Sequence, residues 1–278
     1  MHHPNRAIAV TGTGSTKDFS CLIVDKLPDL EVISKGQCFP WSVYEKKSGS
    51  VTPDFFDETH REEFTRHDGI TDWALQECRV RYGPTVTKED IFYYVYGLLH
   101  APDYRSRFAA DLQKMLPRIP LVASPEDFWA FSHAGRELAH WHLDYETVEP
   151  WELTEQTPRG EEVAAATYRV QKMRWGKAAD GAVDKTVIHY NADITLEGIP
   201  LEAYDYVVNG KSAVEWVMER YQVKTDKDSG IVNDPNAWSD DPRYILDLVK
   251  RVVRVSMETL RIVGELPKLE LGKEAAAK

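Results

Sequence analysis

The hydrophobic period of this chain changes three times, and that alternation limits its fold more than any other feature. Short apolar runs come first. Arg6 to Val10 stops at Thr11-Gly12-Thr13-Gly14, and Phe19 to Val24 is continuous enough to read as a strand buried on both faces. Leu30 to Ile33 follows the turn at Pro28-Asp29 and reads as a third strand. Residues 46 to 69 are polar and aperiodic, which predicts a long exposed connection. From residue 70 the spacing turns helical, with Ile70, Trp73, Ala74 and Cys78 on one face. Thr87-Lys88-Glu89-Asp90 is a capping-box variant that opens a helix carrying Phe92, Tyr93, Tyr96 and Leu99. Pro102 suits a first helical turn, and Tyr104, Phe108, Leu112 and Leu116 follow at intervals of four until Pro117 and Pro120. Ser124-Pro125-Glu126-Asp127 starts another helix, which runs through Trp129 to about Leu143.

The period changes again after a polar stretch from Glu146 to Glu162. Thr167 to Trp175 and Lys185 to Tyr190 are rich in β-branched and aromatic residues, and Gly176 with Ala179-Asp180-Gly181 divides them as in a hairpin. Asp193 to Leu196 is a further short strand. Helices then return: Ser212-Ala213-Val214-Glu215 is a full capping box, and the last helix starts at Asp241-Pro242, carries Ile245, Val249, Val252 and Leu260, and stops at Gly264. Four blocks in the order β, α, β, α predict an α+β fold with mixed β-sheet regions and helical subdomains, not a doubly wound sheet. One domain is expected over 1–272, β-rich over 1–60 and 163–197 and helical over 68–145 and 200–264. Glu274 to Lys278 spells the helical linker unit EAAAK, so 273–278 reads as an engineered tail, and the start reads as a cut inside a larger protein.

Composition narrows the function. The 278 residues are 42% hydrophobic, enough for a real core, and no apolar run approaches the roughly 18 residues that cross a bilayer. Cys21, Cys38 and Cys78 are odd in number and widely spaced, which suits neither a disulfide framework nor a zinc knuckle. No secretory signal opens the chain, so it reads as soluble and cytoplasmic. The net charge of −11 argues against a surface that coats nucleic acid throughout, yet it leaves room for a local basic face. Cations do cluster: Arg105, Arg107, Lys114 and Arg118; Arg169, Lys172, Arg174 and Lys177; Lys250, Arg251, Arg254 and Arg261. Each cluster can equally be an ordinary solvated face.

The motifs offer little chemistry. Gly12-Thr13-Gly14-Ser15-Thr16-Lys17 lacks the Gly before Lys and the hydroxyl after it that a nucleotide-binding loop needs, and it leads into a strand. Such a loop can still offer amides and a charge to a DNA phosphate. His133, His140, His142 and Asp144 form the sole cluster that resembles metal ligands, but they lack the spacing of a zinc-protease helix. Asp226-Lys227-Asp228-Ser229-Gly230 lacks the closing Glu of a calcium loop and reads as a tight turn. In the run Phe92-Tyr93-Tyr94-Val95-Tyr96, three of four aromatics point to a core at helical spacing, although such rings can also stack on flipped bases. No methyltransferase Asn-Pro-Pro-Tyr motif and no nucleophile–base signature is present. These observations favour binding over catalysis, with no catalytic and no metal residues expected.

Several stretches taken together carry a family resemblance. They are Thr11 to Ser20 (TGTGSTKDFS), Gln37 to Pro40 (QCFP), Asp90 to His100 (DIFYYVYGLLH), Pro102 to Arg105 (PDYR), Leu116 to Pro120 (LPRIP), Tyr204 to Ser212 (YDYVVNGKS) and Val223 to Ile231 (VKTDKDSGI). The chain resembles, from about Pro4 to Leu271, the C-terminal specificity region of type ISP restriction–modification enzymes, often labelled helicase-like proteins. The resemblance implies a bacterial parent polypeptide with a nuclease, an ATP-driven translocase and an adenine-N6 methyltransferase, which uses ATP, Mg and S-adenosylmethionine. It implies no cofactor in this part. The implied partners are double-stranded DNA and the upstream methyltransferase domain, with no membrane. On that footing Ser15, Thr16 and Lys17 in the first loop, with Lys211, Lys224 and Lys227 later, are the expected phosphate contacts. Arg169, Lys172 and Arg174, as a strand edge with alternating long donors, are the expected base-edge readers. Two other readings remain open: a non-catalytic scaffold or protein-interaction domain, and a metal-dependent hydrolase using His133, His140 and Asp144.

Overall fold

The first apolar run becomes the middle strand of a small antiparallel sheet. β1 (Ala7–Val10) lies between β2 (Cys21–Val24) and β3 (Gln37–Pro40), with Ile8 opposite Ile23 on one side and Phe39 on the other. The computed structural model describes residues 5–29, 31–46, 64–157 and 164–272. The chain divides into two compact units, residues 1–139 with 266–278 and residues 140–265. The tail at 273–278 lies outside the described residues.

Unit 1 opens with that sheet. The expected strand at Leu30 to Ile33 is absent where it is described: Leu30 lies outside the described residues, and Ile33 sits in a turn closed by Gly36 N–H on its carbonyl at 2.8 Å. Ile33 is apolar because it is fully buried as a plug, which a short apolar run cannot distinguish from a strand. The expected connection over 46–69 ends in a strand. β4 (Ser42–Lys46) pairs antiparallel with β5 (Phe64–Asp68), and residues 47–63 lie outside the described ones. β5 is exposed throughout, so no core face marks it in the sequence.

α1 (Asp72–Tyr82) starts on a Thr71 cap, whose Oγ accepts from Ala74 N–H at 3.2 Å. Its inward residues are Cys78 and Tyr82, and Trp73 is 73% exposed, contrary to the face read from spacing. Five residues correspond to about 140° of helix rotation, so Trp73 cannot share the inward face with Cys78. α2 (Lys88–His100) has its capping box in both directions between Thr87 and Asp90. All four aromatics of the run at 92–96 are buried, one more than expected, so α2 is covered on more than one side. α2 also covers one face of β2: Tyr96 Oη accepts from Ile23 N–H at 3.0 Å. β2 accordingly alternates, with Cys21 and Ile23 buried and Leu22 and Val24 half-buried, instead of being buried on both faces.

The helix expected from Pro102 to Leu116 is two pieces, α3 (Pro102–Arg107) and α4 (Ala109–Leu112), broken at Phe108 with φ −108° and ψ 16°. α5 (Pro125–Leu143) has the expected bounds. α2 and α5 touch backbone to backbone. A Cβ at Gly97 would lie 2.1 Å from the Phe131 carbonyl oxygen, and one at Gly135 would lie 1.9 Å from that of Tyr93. Beside the crossing, Arg136 bonds Asp90 at 2.7 Å and lies 4.5 Å from the Tyr93 ring centre.

Unit 2 is a four-stranded antiparallel sheet with helices. β6 (Thr154–Gln156), β7 (Arg174–Lys177), β8 (Val183–His189) and β9 (Thr195–Glu197) run in the order β6-β9-β8-β7, which leaves β7 at an edge. β10 (Val207–Val208) pairs with β11 (Lys211–Ser212), and α6 (Ala213–Arg220) follows. β12 (Lys224–Thr225) pairs with β13 (Val232–Asn233), and α7 (Tyr244–Gly264) closes the unit. Ile188 and Leu196 of the sheet, Val214 of α6 and Leu246, Val249 and Val253 of α7 form the centre of one core. Thr167 to Trp175 is not the expected strand. Residues Ala165–Tyr168 form a 3₁₀ turn and β7 starts only at Arg174. Side-chain amides take the backbone groups that a partner strand would pair: Asn191 donates to Thr167 and Arg169, and Asn236 bonds both N–H and C=O of Val170. Among the described residues no helix is long and apolar enough to cross a membrane.

Candidate nucleic-acid interface

The edge strand β7 and the helix α6 bring cations of unit 2 to one face. The order of events along the chain explains why. Ser212 opens α6 by accepting from Glu215 N–H at 3.2 Å, and Glu215 returns the bond to Ser212 N–H at 3.0 Å. That fixes the Glu215 carboxylate, whose other oxygen accepts from Lys185 of β8 at 3.0 Å. The Lys185 ammonium lies 5.5 Å from the Trp175 ring centre and 4.9 Å from that of Tyr204, so its stem packs on aromatic surface while its head stays part-exposed. One turn further along α6, Glu219 pairs with Lys211 of β11. Trp216 is anchored by its indole N–H on the Val208 carbonyl at 2.7 Å. Lys211 and Arg220 stand at 5.0 and 5.2 Å from its ring centre.

Between these groups lies a shallow, open depression of about 480 Å³, lined by Lys172, Met173, Trp175, Gly210, Lys211, Glu215, Met218, Glu219 and Gln222. Val223 N–H on the Gln171 carbonyl at 2.9 Å ties the start of β12 to the segment carrying Lys172. The Glu219 carboxyl is held below its usual range first by the Lys211 hydrogen bond, and the charges of Lys211, Lys224 and Arg220 add to this against a small burial penalty. Burial pushes Glu215 up, but hydrogen bonds from Lys185 and Ser212 outweigh it and leave the carboxyl lowered. The depression's lining holds Lys172 and Lys211 with Glu215 and Glu219, and Lys185, Arg220 and Lys224 stand beside those carboxylates or the neighbouring rings, a cluster of cations on a chain of net charge −11. The lining offers ammonium, amide and aromatic groups, which suit the binding of anions and flat rings.

Three of the expected contacts therefore come together: Lys172, Lys211 and Lys224. Others do not. Arg174 is exposed on β7, so the strand-edge description holds for it alone. Arg169 follows the 3₁₀ turn and is tied to Asp234 at 2.6 Å, and Lys172 lies in the irregular segment before β7. Lys227 is exposed at the tip of the β12–β13 hairpin, in the expected tight turn. There Asp226 Oδ1 accepts from the amides of Asp228 and Ser229 at 3.2 and 2.8 Å. Ser15, Thr16 and Lys17 belong to unit 1. Their loop is shaped by Lys17 N–H on Ser15 Oγ at 2.9 Å and by Lys35 Nζ on the Gly14 carbonyl at 2.8 Å. Gly12 is required there, since a Cβ would lie 1.7 Å from the Lys35 carbonyl oxygen. The loop leads into β2 and not into a helix, so it makes no nucleotide cradle.

The imidazoles do other work. His140 Nδ1 bonds Asp144 at 2.8 Å, buried His142 bonds Thr259 at 2.9 Å and stacks on Tyr206, and His133 tilts against Trp129. Among the described residues no three His, Cys, Asp or Glu side chains are grouped to hold a metal ion. Sequence reasoning missed Lys185, Trp175, Tyr204, Trp216 and Arg220. The spacing of Glu215, Trp216, Glu219 and Arg220, two interleaved i, i+4 pairs, was the available signal for a charged, aromatic helix face.

The model of the Type ISP C-terminal specificity domain matches residues 1–248. Three solved structures resemble the chain closely. A nuclease-deletion mutant of the Type ISP restriction-modification enzyme LlaGI, in complex with a DNA substrate mimic, is 37% identical over 97% of this chain, with a TM-score of 0.76. The ATP-dependent Type ISP restriction-modification enzyme LlaBIII bound to DNA is 38% identical over 97%, with a TM-score of 0.79. A DrdV-DNA complex is 32% identical over 96%, with a TM-score of 0.77. This chain spans 18%, 16% and 25% of those chains respectively. No curated protein matches it. With a family model over most of its length and that likeness in fold, the chain belongs to the Type ISP C-terminal specificity domains.

Proposed function

We propose that this chain reads a DNA target sequence on behalf of a longer, cytoplasmic, ATP-dependent restriction–modification polypeptide, and that it does no chemistry itself. In that polypeptide an adenine-N6 methyltransferase domain would share the duplex, and ATP, Mg and S-adenosylmethionine would serve the other domains. The observation that carries the reading to particular residues is the aromatic-backed basic face of unit 2 on an otherwise acidic chain. Lys211 and Lys224 contact phosphates there, and Lys172 with Arg174 reaches base edges. Ser15, Thr16 and Lys17 supply a phosphate contact from unit 1, and Lys227 and Arg169, which do not line the depression, add a phosphate and a base-edge contact beside it. Residues 1–272 act as one recognition module in this account.

The face sets a magnitude. Among the described residues no carboxylate ion-pairs with Arg220 or Lys224 of this face or with Lys17 of unit 1, while Lys185 and Lys211 are already paired, so three to five phosphates can be neutralised. At about 0.9 counterions per contact, log K should fall with log salt at a slope of roughly −2.7 to −4.5, or about 40- to 500-fold between ~50 and ~200 mM. Titration of a labelled duplex at several salt concentrations measures this. A flat response would refute phosphate contact as the basis of binding.

A protein-docking role has one observation of its own. α1 leaves Trp73 and Val80, seven residues apart on one helix face, 73% and 87% exposed.

A further inference from the structure

The two carboxylates on the basic face stand where phosphates would have to go. Glu219 pairs with Lys211, and Glu215 with Lys185, while each ammonium also lies over an aromatic ring that fixes its position. Neither pair is deeply buried: the four side chains are 32–42% exposed, so both can open to solvent. Glu215 is further held by Ser212 at the start of α6, and Glu219 projects one helical turn later on the same side. A carboxylate and a phosphate oxygen ask the same of an ammonium, a charge-assisted hydrogen bond at short range. Each ammonium has donors to spare, but a phosphate brought to it stands beside the carboxylate it already holds, and repulsion between the two anions loosens that pair.

We infer that Glu215 and Glu219 act as built-in phosphate substitutes, so that this face engages DNA by exchanging carboxylate for phosphate and is thereby weakened against DNA of arbitrary sequence. The inference rests on the DNA-reading role proposed above. Exchange makes non-specific contact nearly neutral at these two lysines, because an ion pair is given up for each one formed. Contacts that depend on base sequence, through Lys172 and Arg174, carry no such cost. The cost is common to every duplex, so it lowers the absolute affinity for DNA of arbitrary sequence, while the ratio between target and non-target is left to Lys172 and Arg174.

Exchange has a signature in salt dependence. When Lys211 meets a phosphate, a counterion leaves the DNA, but the released Glu219 attracts a cation back, so the net release is below one. Glu219→Gln removes the competitor and the cation it would recapture. Binding of this chain to a labelled duplex of random sequence should become about two- to fivefold tighter, the range of an exposed ion pair. The slope of log K against log salt should steepen by up to about 0.9. Glu215→Gln should act the same way at Lys185, since Gln can still close the capping box. Glu126→Gln, an exposed residue of unit 1, makes the same change in net charge and should alter neither quantity.

The outcomes separate. Tighter binding and a steeper slope for Glu219→Gln but not for Glu126→Gln support the exchange. If Glu219→Gln matches the parent chain while Lys211→Gln weakens binding, the face touches DNA and the exchange is wrong. Weaker binding by Glu219→Gln with an unchanged unfolding curve also overturns it, since Glu219 would then only position Lys211. If neither Glu219→Gln nor Lys211→Gln has an effect, the inference and the assignment of this face fail together.

Discussion

Replacing Gly97 by alanine adds one methyl group to the middle of α2, and helix propensity alone says stability should rise by about 1 kcal/mol. The structure reverses the sign. The new Cβ would lie 2.1 Å from the Phe131 carbonyl oxygen and 3.1 Å from the Gly135 nitrogen, where ordinary contact begins at 3.4 Å. The obstacle is the backbone of α5, which cannot swing aside as a side chain can. The helices must move apart by about 1 Å, and the close packing of Tyr94 against Phe128 and Phe131 loosens with them. Overpacking of this kind costs about 1–3 kcal/mol, and a backbone obstacle belongs at the upper end, so the net loss after propensity is roughly 2 kcal/mol. For a unit of this size that lowers Tm by about 4–8 °C. Gly135→Ala should do the same, with its Cβ 1.9 Å from the Tyr93 oxygen. Gly264→Ala is the control: nothing lies within 4 Å of its added Cβ at the end of α7, so Tm should hold or rise slightly. Thermal unfolding followed by far-ultraviolet circular dichroism decides it. An unfolding temperature for Gly97→Ala at or above that of the parent chain would refute the backbone-to-backbone crossing.

Acid should weaken unit 1 through Asp90. Burial raises its carboxyl, but hydrogen bonds from Thr87 and Arg136 outweigh that and leave it lowered in the folded chain. A lowered folded value gives stability that is complete above the unfolded value of about 3.9 and is lost as pH falls through the folded one. Asp90→Asn should therefore be less stable than the parent at neutral pH and should lose less between about pH 5 and pH 3. Parallel denaturant titrations across that range would contradict the assignment if the two curves kept a constant separation. In unit 2, Ser212→Ala removes one half of the α6 capping box and should cost about 1 kcal/mol, read as a lower denaturant midpoint. Ser212→Thr, which keeps the cap acceptor, should recover most of it.

What the sequence made legible was mostly local. Both capping boxes follow from residues three apart, and α5 runs over the segment that its Ser-Pro start and apolar spacing marked. The tight turn at Asp226 to Gly230 is closed by its own side chains, so neighbours in sequence were enough. The departures come from partners distant in the chain. Ile33 is buried by residues far from it, and an apolar residue carries no mark of whether it plugs a core or belongs to a strand. Val170 looked like strand because of its neighbours, but Asn236, 66 residues away, takes its backbone groups. The candidate face shows both cases. Lys211 and Lys224 lie within a few residues of α6 and were named from the sequence. Lys185 comes from β8 and meets Glu215 across 30 residues, so only the pairing of strand and helix could bring it in. Arg169 shows the reverse, since its long donor is already held by Asp234.

The most direct test of the central claim is an exchange of specificity. This chain replaces the matching C-terminal segment of an active Type ISP restriction–modification enzyme, and the sites methylated in the host genome are mapped by long-read sequencing. The account expects the hybrid to abandon the recipient's site and to modify one new sequence, which changes or degenerates when Lys172 and Arg174 are substituted. A hybrid that is active and still modifies the recipient's original sequence would contradict it.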